Sequence, residues 1–198
     1  MLKAVCPVKR KVTVHEFYLM TEVVAFISAR ERGAAFCECQ LKSVDLVNAY
    51  ISRIQEINPV INAAVNFRFE RALEEAQEID DLIASDYRTE EEMERETPFL
   101  GVPMSVKELI AVEGMPFTAG LVSRKNVRSP NSAQTVKLMK AAGAIPLVTT
   151  NISELGMWYE SYNRVYGRTS NPYDTSRSPG GSSGMYEKFH SFLQNILN

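Results

Sequence analysis

Residues 131–149 read NSAQTVKLMKAAGAIPLVT, and this stretch decides the fold class. Its Asn-Ser start is typical of a helix cap, and apolar residues then recur at helical spacing until Gly143 ends the helix. Residues 144–149 follow at once with the apolar, β-branched composition of a buried strand. Another buried strand, LGVPMSV, is predicted at residues 100–106, where Pro103 limits its pairing. A helix and strands joined by short glycine-marked links indicate an α/β fold.

Two further helices are predicted upstream of these strands. In the first, Ser43 can act as the cap, apolar residues recur every three or four positions, and the Asn58-Pro59 pair stops the helix. The second runs from about residue 66 to residue 84, with one apolar face and one acidic face. Beyond it, Thr89 and Glu92 fit a capping box, which marks the start of a helix.

The charge of the chain is unevenly distributed. Residues 70–96 contain 12 acidic and 3 basic residues, a net charge of −9, whereas the rest of the chain carries +7 and the whole chain −2. A solvated helical face is the simpler interpretation of the acidic segment, and an acidic binding patch is the alternative. Because the chain has no overall basic field, we predict that it does not bind nucleic acid.

The composition is that of an ordinary globular protein. The 198 residues are 45% hydrophobic and 23% charged, which excludes low-complexity, collagen-like and wholly disordered chains. The longest uncharged run has 13 residues (141–153), fewer than the about 20 that a membrane-spanning helix needs. The apolar stretch at residues 4–8 is too short for a signal peptide, and Cys6, Cys37 and Cys39 cannot make a disulfide framework. We therefore expect an intracellular, cytoplasmic protein, with membrane contact left open.

The usual catalytic and metal-binding patterns are absent from the sequence. Neither His15 nor His190 is framed by the groups that a Ser-His-Asp triad requires. Cys37 and Cys39 form a CxC pair without the second pair of ligands that a zinc site needs. The glycine-rich residues 180–184 do not continue into the Lys-Ser or Lys-Thr of a phosphate-binding loop. We predict neither a metal nor a cofactor.

Two features remain as candidates for chemistry. Lys107 comes directly after the strand at residues 100–106, so its side chain emerges at the carboxyl end of the sheet. On its own it would be interpreted as a surface lysine. Residues 179–184 form a glycine-serine turn with two adjacent hydroxyls, which alone would be a flexible loop. The longer motifs that contain these two features change both interpretations.

Four motifs occur in order along the chain: LGVPMSVKE at 100–108, AAGAIPLVTTNISE at 141–154, YGRTSNPYD at 166–174 and SPGGSSG at 178–184. Together they resemble the amidase signature family of serine hydrolases, and the residues around them are especially similar to its fatty-acid amide hydrolase 2 branch. The resemblance covers about residues 21–184. It implies the N-terminal portion of an amidase-signature fold, in which helices flank a mixed central sheet. Residues 1–20 are then an irregular lead-in, and residues 185–198 are a tail unrelated to the family.

The resemblance implies amide-bond hydrolysis by a Ser-Ser-Lys triad, without a cofactor, on a small-molecule substrate such as a fatty-acid amide. Lys107 matches the base, which must be neutral, so its pKa of ordinarily ~10.4 would have to fall to about 7 through burial. Ser182 matches the bridging serine that relays a proton, and in the family this serine follows a cis peptide bond after glycine. Ser183 is a lesser candidate for the relay. Further residues are expected to shape the site: Gly180, Gly181, Ser183, Gly184, Asn151 and Glu154.

The nucleophilic serine has no match in the sequence. In the family it lies about two dozen residues beyond the bridging serine, in a second glycine-serine stretch whose amides form the oxyanion hole. That position falls after Asn198; Met185 stands where the family has glycine, and the one later serine, Ser191, has no glycine beside it. We interpret the chain as a truncated member of the family and expect these 198 residues to be inactive. The alternative is a non-enzymatic fragment that binds or regulates a full-length relative, and unpaired sheet edges would favour self-association.

Overall fold

The computed structural model describes residues 42–85 and 89–182. Its helices and strands are α1 (Ser43–Ile61), β1 (Ala64–Phe67), α2 (Phe69–Ser85), α3 (Glu90–Glu96), β2 (Pro103–Lys107), α4 (Gln134–Ala141), β3 (Ile145–Thr150), β4 (Tyr162–Asn163) and β5 (Gly167–Arg168). Single 3-10 turns lie at Val122–Arg124 and Glu154–Gly156. The predicted lead-in at residues 1–20 and the predicted tail at residues 185–198 lie outside the described residues.

A three-stranded sheet of order β1-β3-β2 forms the centre of the described fold. β3 is the middle strand, antiparallel to β1 and parallel to β2, and all six of its residues are buried. α4 lies between β2 and β3 in the chain and makes the crossover that parallel strands require. The register places Lys107 and Ala64 on either side of Thr150. The predicted α/β fold with a mixed sheet and flanking helices is confirmed.

Two apolar clusters hold the helices to this sheet. The larger joins α1 and α2 to β1 and β3, and its buried members are Val47, Ile51, Ile54, Ala64, Ala72, Ala76, Ile145, Leu147 and Val148. The smaller joins β2 to α4 and to the loop between them through Val106, Val112, Met115 and Val136. α1 and α2 also pack against each other.

The acidic face of α2 is mostly exposed, and Glu75 is its exception. Glu75 is buried and accepts two hydrogen bonds from the Arg68 guanidinium, at 2.6 and 2.7 Å, and one from Lys140 of α4 at 2.8 Å. These partners lower the pKa of the Glu75 carboxyl although burial alone would raise it. The pairing ties α2 and α4 together.

The cap of α1 differs from the sequence prediction. Lys42 holds the N-cap position without a side-chain hydrogen bond, and Ser43 is the first helical residue. The Asp80 carboxylate on α2 accepts hydrogen bonds from the main-chain N–H groups of Ser43 and Val44, at 2.7 and 3.1 Å. The Ser43 hydroxyl donates instead to the carbonyl of Gly101. The prediction that Ser43 caps the helix is wrong, because a carboxylate from a neighbouring helix takes that function.

The end of α1 and the start of α2 also differ from the prediction. The Asn58-Pro59 pair does not stop α1, which continues to Ile61, and the Asn58 side chain closes the end by accepting the N–H groups of Ala63 and Ala64. Residues 66 and 67, predicted to begin the second helix, belong instead to β1, because residues 64–67 pair with β3. α2 therefore begins at Phe69.

The start of α4 follows a different pattern from the one predicted. Ala133 holds its N-cap position, and the Ser132 hydroxyl accepts the main-chain N–H of Glu113 instead of capping the helix. Gly143 ends the helix as predicted, with a φ of +95°. A Cβ at this position would lie 2.5 Å from the Cα of Leu100, so the close approach of the two chain segments requires glycine.

Two other local predictions are confirmed. Thr89 and Glu92 form a capping box at the start of α3, with the Thr89 Oγ1 accepting the Glu92 N–H and the Glu92 carboxylate accepting the Thr89 N–H. The strand predicted at residues 100–106 is present as β2 with shifted bounds, because residues 100 and 101 lie in a turn and the strand includes Lys107. It begins at Pro103, the first position of a strand, where a missing N–H is tolerated.

Candidate active site

Lys107 and Ser182, the two residues predicted to carry chemistry, lie in contact. Lys107 is the last residue of β2, and its Nζ donates a hydrogen bond to Ser182 Oγ at 2.8 Å. The two residues are 75 positions apart in the sequence. The structure therefore brings together the end of the strand motif and the glycine-serine motif.

Burial sets the electrostatics of Lys107. The side chain is half-buried, and this loss of solvent lowers the pKa of the Lys107 amine. Within residues 42–85 and 89–182 no carboxylate forms an ion pair with it to oppose that effect. A lysine in such surroundings is easier to keep neutral, and a neutral amine can accept a proton.

The turn that carries Ser182 has an unusual backbone that matches what the resemblance implied. The peptide bond between Gly181 and Ser182 is cis, and Gly180 has a φ of +101°. Gly181 packs against the main chain of residues 158–160 so closely that a Cβ would overlap it. A glycine is required at each position, at Gly180 by its positive φ and at Gly181 by the neighbouring main chain.

Asn151, predicted to shape the site, is a buried connector. It follows the last residue of β3, and its Nδ2 donates to the carbonyls of Ser161 and Gly167 and to Thr169 Oγ1. Its Oδ1 accepts from the side-chain amide of Asn163, which is also buried. These contacts fix the loop between β3 and β4 and the β4–β5 hairpin to the end of the sheet.

Three further buried residues make contacts in this region, and no pattern in the sequence predicted these contacts. The Ser161 hydroxyl donates a hydrogen bond to the carbonyl of Gly180 at 2.9 Å, and Asn163 completes the contacts of Asn151.

Glu108 is fully buried. Its Oε1 accepts hydrogen bonds from the N–H of Thr118 and, at 3.2 Å, from the hydroxyl of Tyr166, and its Oε2 has no partner among the described residues. Ser161 and Asn163 lie in irregular loops with no local pattern, whereas the charge of Glu108 within an apolar strand motif was an available signal.

The segment whose main chain packs against Gly181 carries exposed apolar and aromatic side chains. Met157 and Tyr159 are 79% and 84% exposed, and Trp158, which lies between them, is 62% exposed with its ring 5.6 Å from that of Tyr159. Leu109 and Ile110, directly after Lys107 and Glu108, are also partly exposed. Exposed apolar side chains therefore lie in the segments adjacent to both Lys107 and the turn.

The remaining predicted residues are either exposed or outside the described range. Glu154, expected to shape the site, is exposed at the start of its 3-10 turn. Ser183, Gly184, both histidines and all three cysteines lie outside the described residues. Within the described part of the chain, no group of three or more His, Cys, Asp or Glu residues could hold a metal ion, and no helix there is long and apolar enough to cross a membrane.

A sequence model of the Amidase family matches residues 45–184, which include both Lys107 and Ser182. The chain belongs to the amidase family. This confirms the resemblance that the four ordered motifs predicted, and it places the described sheet, the turn and the contact between them within the matched region.

Individual relatives agree with the family assignment. The chain is 45% identical to fatty-acid amide hydrolase 2 of Homo sapiens and 48% identical to fatty-acid amide hydrolase 2-A of Danio rerio, in each case over 83% of this chain and 31% of the relative. Among solved structures, peptide amidase from Stenotrophomonas maltophilia is 28% identical with a TM-score of 0.68, over 82% of this chain and 33% of that enzyme. The chain spans about a third of the length of these amidase relatives.

Proposed function

We propose that this chain carries the base and the relaying serine of an amide hydrolase that acts on fatty-acid amides through a Ser-Ser-Lys triad. The 2.8 Å hydrogen bond between Lys107 Nζ and Ser182 Oγ carries the proposal. The names of the human and Danio rerio relatives, both fatty-acid amide hydrolases, supply the substrate class. No cofactor is needed, because the reaction requires proton transfer and a nucleophile alone.

The proposed proton path runs through the hydroxyl of Ser182. Neutral Lys107 accepts the Ser182 proton, while Ser182 takes the proton of the nucleophilic serine as that oxygen attacks the amide carbonyl. The tetrahedral intermediate then collapses to an acyl-enzyme, and the same path returns the proton to the departing amine. Water releases the acid in the second half of the cycle. Burial of Lys107 favours the neutral amine from which this path begins.

In this proposal the 198 residues supply two members of the triad and lack the glycine-serine stretch of the third. We therefore expect the chain by itself to leave amide substrates intact. Incubation of the purified chain with a fatty-acid anilide, followed by release of the aromatic amine, checks this expectation. Turnover that disappears in the Lys107→Ala variant would show that the chain is an enzyme on its own.

A chimaera tests the proposed roles of Lys107 and Ser182 directly. The matching 165-residue segment of Danio rerio fatty-acid amide hydrolase 2-A is replaced by the segment of this chain, to which it is 48% identical. We expect the chimaera to hydrolyse a fatty-acid anilide, and Lys107→Ala and Ser182→Ala each to reduce kcat/KM on the order of 10³-fold or more, because members of such a triad act as a unit.

A matched control separates catalysis from loss of a positive charge. Lys137 is exposed on α4, and Lys137→Ala is expected to keep kcat/KM within about twofold. An active chimaera that tolerates Lys107→Ala would contradict the proposal. A folded chimaera with no activity would support the alternative, a non-enzymatic fragment that binds or regulates a relative.

A further inference from the structure

Ser161 is a fully buried serine that reaches the turn carrying Ser182. Its side chain has no solvent exposure, and its Oγ donates to the carbonyl of Gly180 at 2.9 Å. Gly180 lies two residues before Ser182 in the sequence. Among the described residues, Ser161 and Lys107 are the two side chains outside residues 178–182 that hydrogen-bond to this turn.

Ser161 is itself held from the end of the sheet. Its carbonyl accepts the main-chain N–H of Thr169 at 2.9 Å and the side-chain amide of Asn151 at 3.3 Å. Asn151 directly follows Thr150, and Thr150 is the residue opposite Lys107 in the parallel register of β2 and β3. Hydrogen bonds and short stretches of main chain therefore connect the strand that carries Lys107 to the turn that carries Ser182.

We propose that Ser161 is a positioning residue, which holds the turn at residues 180–182 so that the Ser182 hydroxyl stays within hydrogen-bond distance of Lys107. Its importance for catalysis rests on the proposed function above, whereas the contact itself does not. Apart from Lys107 itself, no other described side chain outside residues 178–182 holds the turn by a hydrogen bond. No atom lies close to the position that a Cβ of Gly180 would occupy. Gly181 packs closely against the main chain of residues 158–160, and this contact involves no side chain that could hold the turn by a hydrogen bond.

Loss of the Ser161 hydroxyl has a defined consequence for Lys107. The carbonyl of Gly180 loses its donor, the turn is free to move away from Lys107, and water reaches the amine. Because burial is what lowers the pKa of Lys107, the pKa should then rise toward its ordinary value. A larger fraction of Lys107 is protonated at a given pH, and a protonated amine does not react with acylating reagents.

Competitive acetylation of the full 198-residue chain with acetic anhydride, read by mass spectrometry of the Lys107 peptide between pH 7 and pH 11, tests the proposal. Ser161→Ala is expected to move the Lys107 profile to higher pH by about half a pH unit, which lowers its labelling about twofold at the parental midpoint and about threefold well below it. Ser161→Thr keeps a hydroxyl and is expected to retain the parental profile.

Ser43→Ala is the matched control for this experiment. Ser43 is equally buried and its hydroxyl also donates to a glycine carbonyl, that of Gly101, but it lies at the start of α1. Its removal is expected to leave the Lys107 profile unchanged, and thermal unfolding of every variant confirms that the comparison is made between folded proteins. An unshifted profile in folded Ser161→Ala, or an equal shift in Ser43→Ala, would overturn the proposal.

The chimaera separates this inference from the proposed function. If the Lys107 profile shifts in Ser161→Ala while the chimaera shows no Lys107-dependent turnover, Ser161 positions the turn and the proposed function is wrong. If turnover depends on Lys107 and Ser161→Ala leaves both the profile and kcat intact, the proposed function stands and Ser161 has no positioning role.

Discussion

Lys107 and Glu108 are adjacent in the sequence and have opposite surroundings at the end of β2. The Lys107 amine meets Ser182, whereas the Glu108 carboxyl is buried against Thr118 and Tyr166. Glu108 lies in the turn that follows β2, and its carboxyl contacts Thr118 and Tyr166 and forms no ion pair with Lys107. Burial therefore acts on the Lys107 amine without an opposing carboxylate.

This environment predicts a pH dependence of stability. The unfolded chain keeps Lys107 near its ordinary pKa of ~10.4, while the folded chain has a lower value, so between the two the unfolded state binds more protons. The free energy of unfolding gained by Lys107→Met, which removes the buried charge, should therefore be largest below the folded pKa and shrink as pH rises through this window. Urea unfolding of both proteins at pH 7, 8, 9 and 10 measures it. A difference that is constant across these pH values would contradict the assignment of burial as the cause.

The sequence was informative about single residues only where they belong to a continuous motif. Lys107 follows a recognisable strand, and Ser182 lies in a glycine-serine run, so both could be selected before the structure was known. Ser161 lies neither next to a predicted strand nor in a glycine-serine run. Its contact with Gly180 joins residues 19 positions apart in two irregular loops, and no spacing rule relates such positions.

At the scale of elements, the first turn of α1 depends on α2. Asp80 satisfies two main-chain N–H groups that a helix start leaves without partners, and its negative charge lies at the positive end of the helix dipole. Such a cap acts both on α1 itself and on the contact between the two helices.

We expect Asp80→Ala to lower the free energy of unfolding by about 1–2 kcal/mol, the range for loss of a helix cap. Asp81→Ala is the control, because the neighbouring Asp81 is exposed and accepts a hydrogen bond from Gln77 one turn earlier on the same helix. Its effect should remain within about 0.5 kcal/mol. Equal losses in the two variants, measured by urea unfolding, would argue against a capping function for Asp80.

The errors in the predicted elements have a common physical cause. Ser43 has a residue type that often caps helices, but the carboxylate of a residue 37 positions away accepts the hydrogen bond at the helix start instead. Residues 66 and 67 fall at the start of the second predicted helix, and pairing with β3 makes them part of a strand. Local sequence patterns located α1, α2, α4, β2 and β3. The exact ends of these helices and strands depend on hydrogen bonds to residues distant in sequence, so neighbouring residues could not predict them.

At the scale of the whole molecule, the described sheet has two outer strands. Within residues 42–85 and 89–182, β1 and β2 each pair with β3 alone. The apolar surface beside Ser182, formed by Met157, Trp158 and Tyr159, adds exposed area that aqueous solvent disfavours. Both features favour association of the chain with itself.

We therefore expect the sedimentation coefficient of the 198-residue chain to increase with protein concentration. The double variant Trp158→Ser/Tyr159→Ser, which reduces the apolar surface while leaving the sheet intact, should shift the dependence to higher concentration. Sedimentation velocity across a hundredfold concentration range is the measurement. A single monomeric species throughout would exclude self-association under these conditions.

Trp158 is the one tryptophan of the chain, and its carbonyl packs directly against Gly181 in the turn that carries Ser182. All indole emission of the protein consequently originates beside the candidate site. Steady-state fluorescence of the unlabelled chain can report changes beside the Lys107–Ser182 pair, and quenching by acrylamide measures how accessible the Trp158 side chain is to solvent. Trp158, in the loop that packs against the turn, is therefore an intrinsic fluorescence probe of the candidate site.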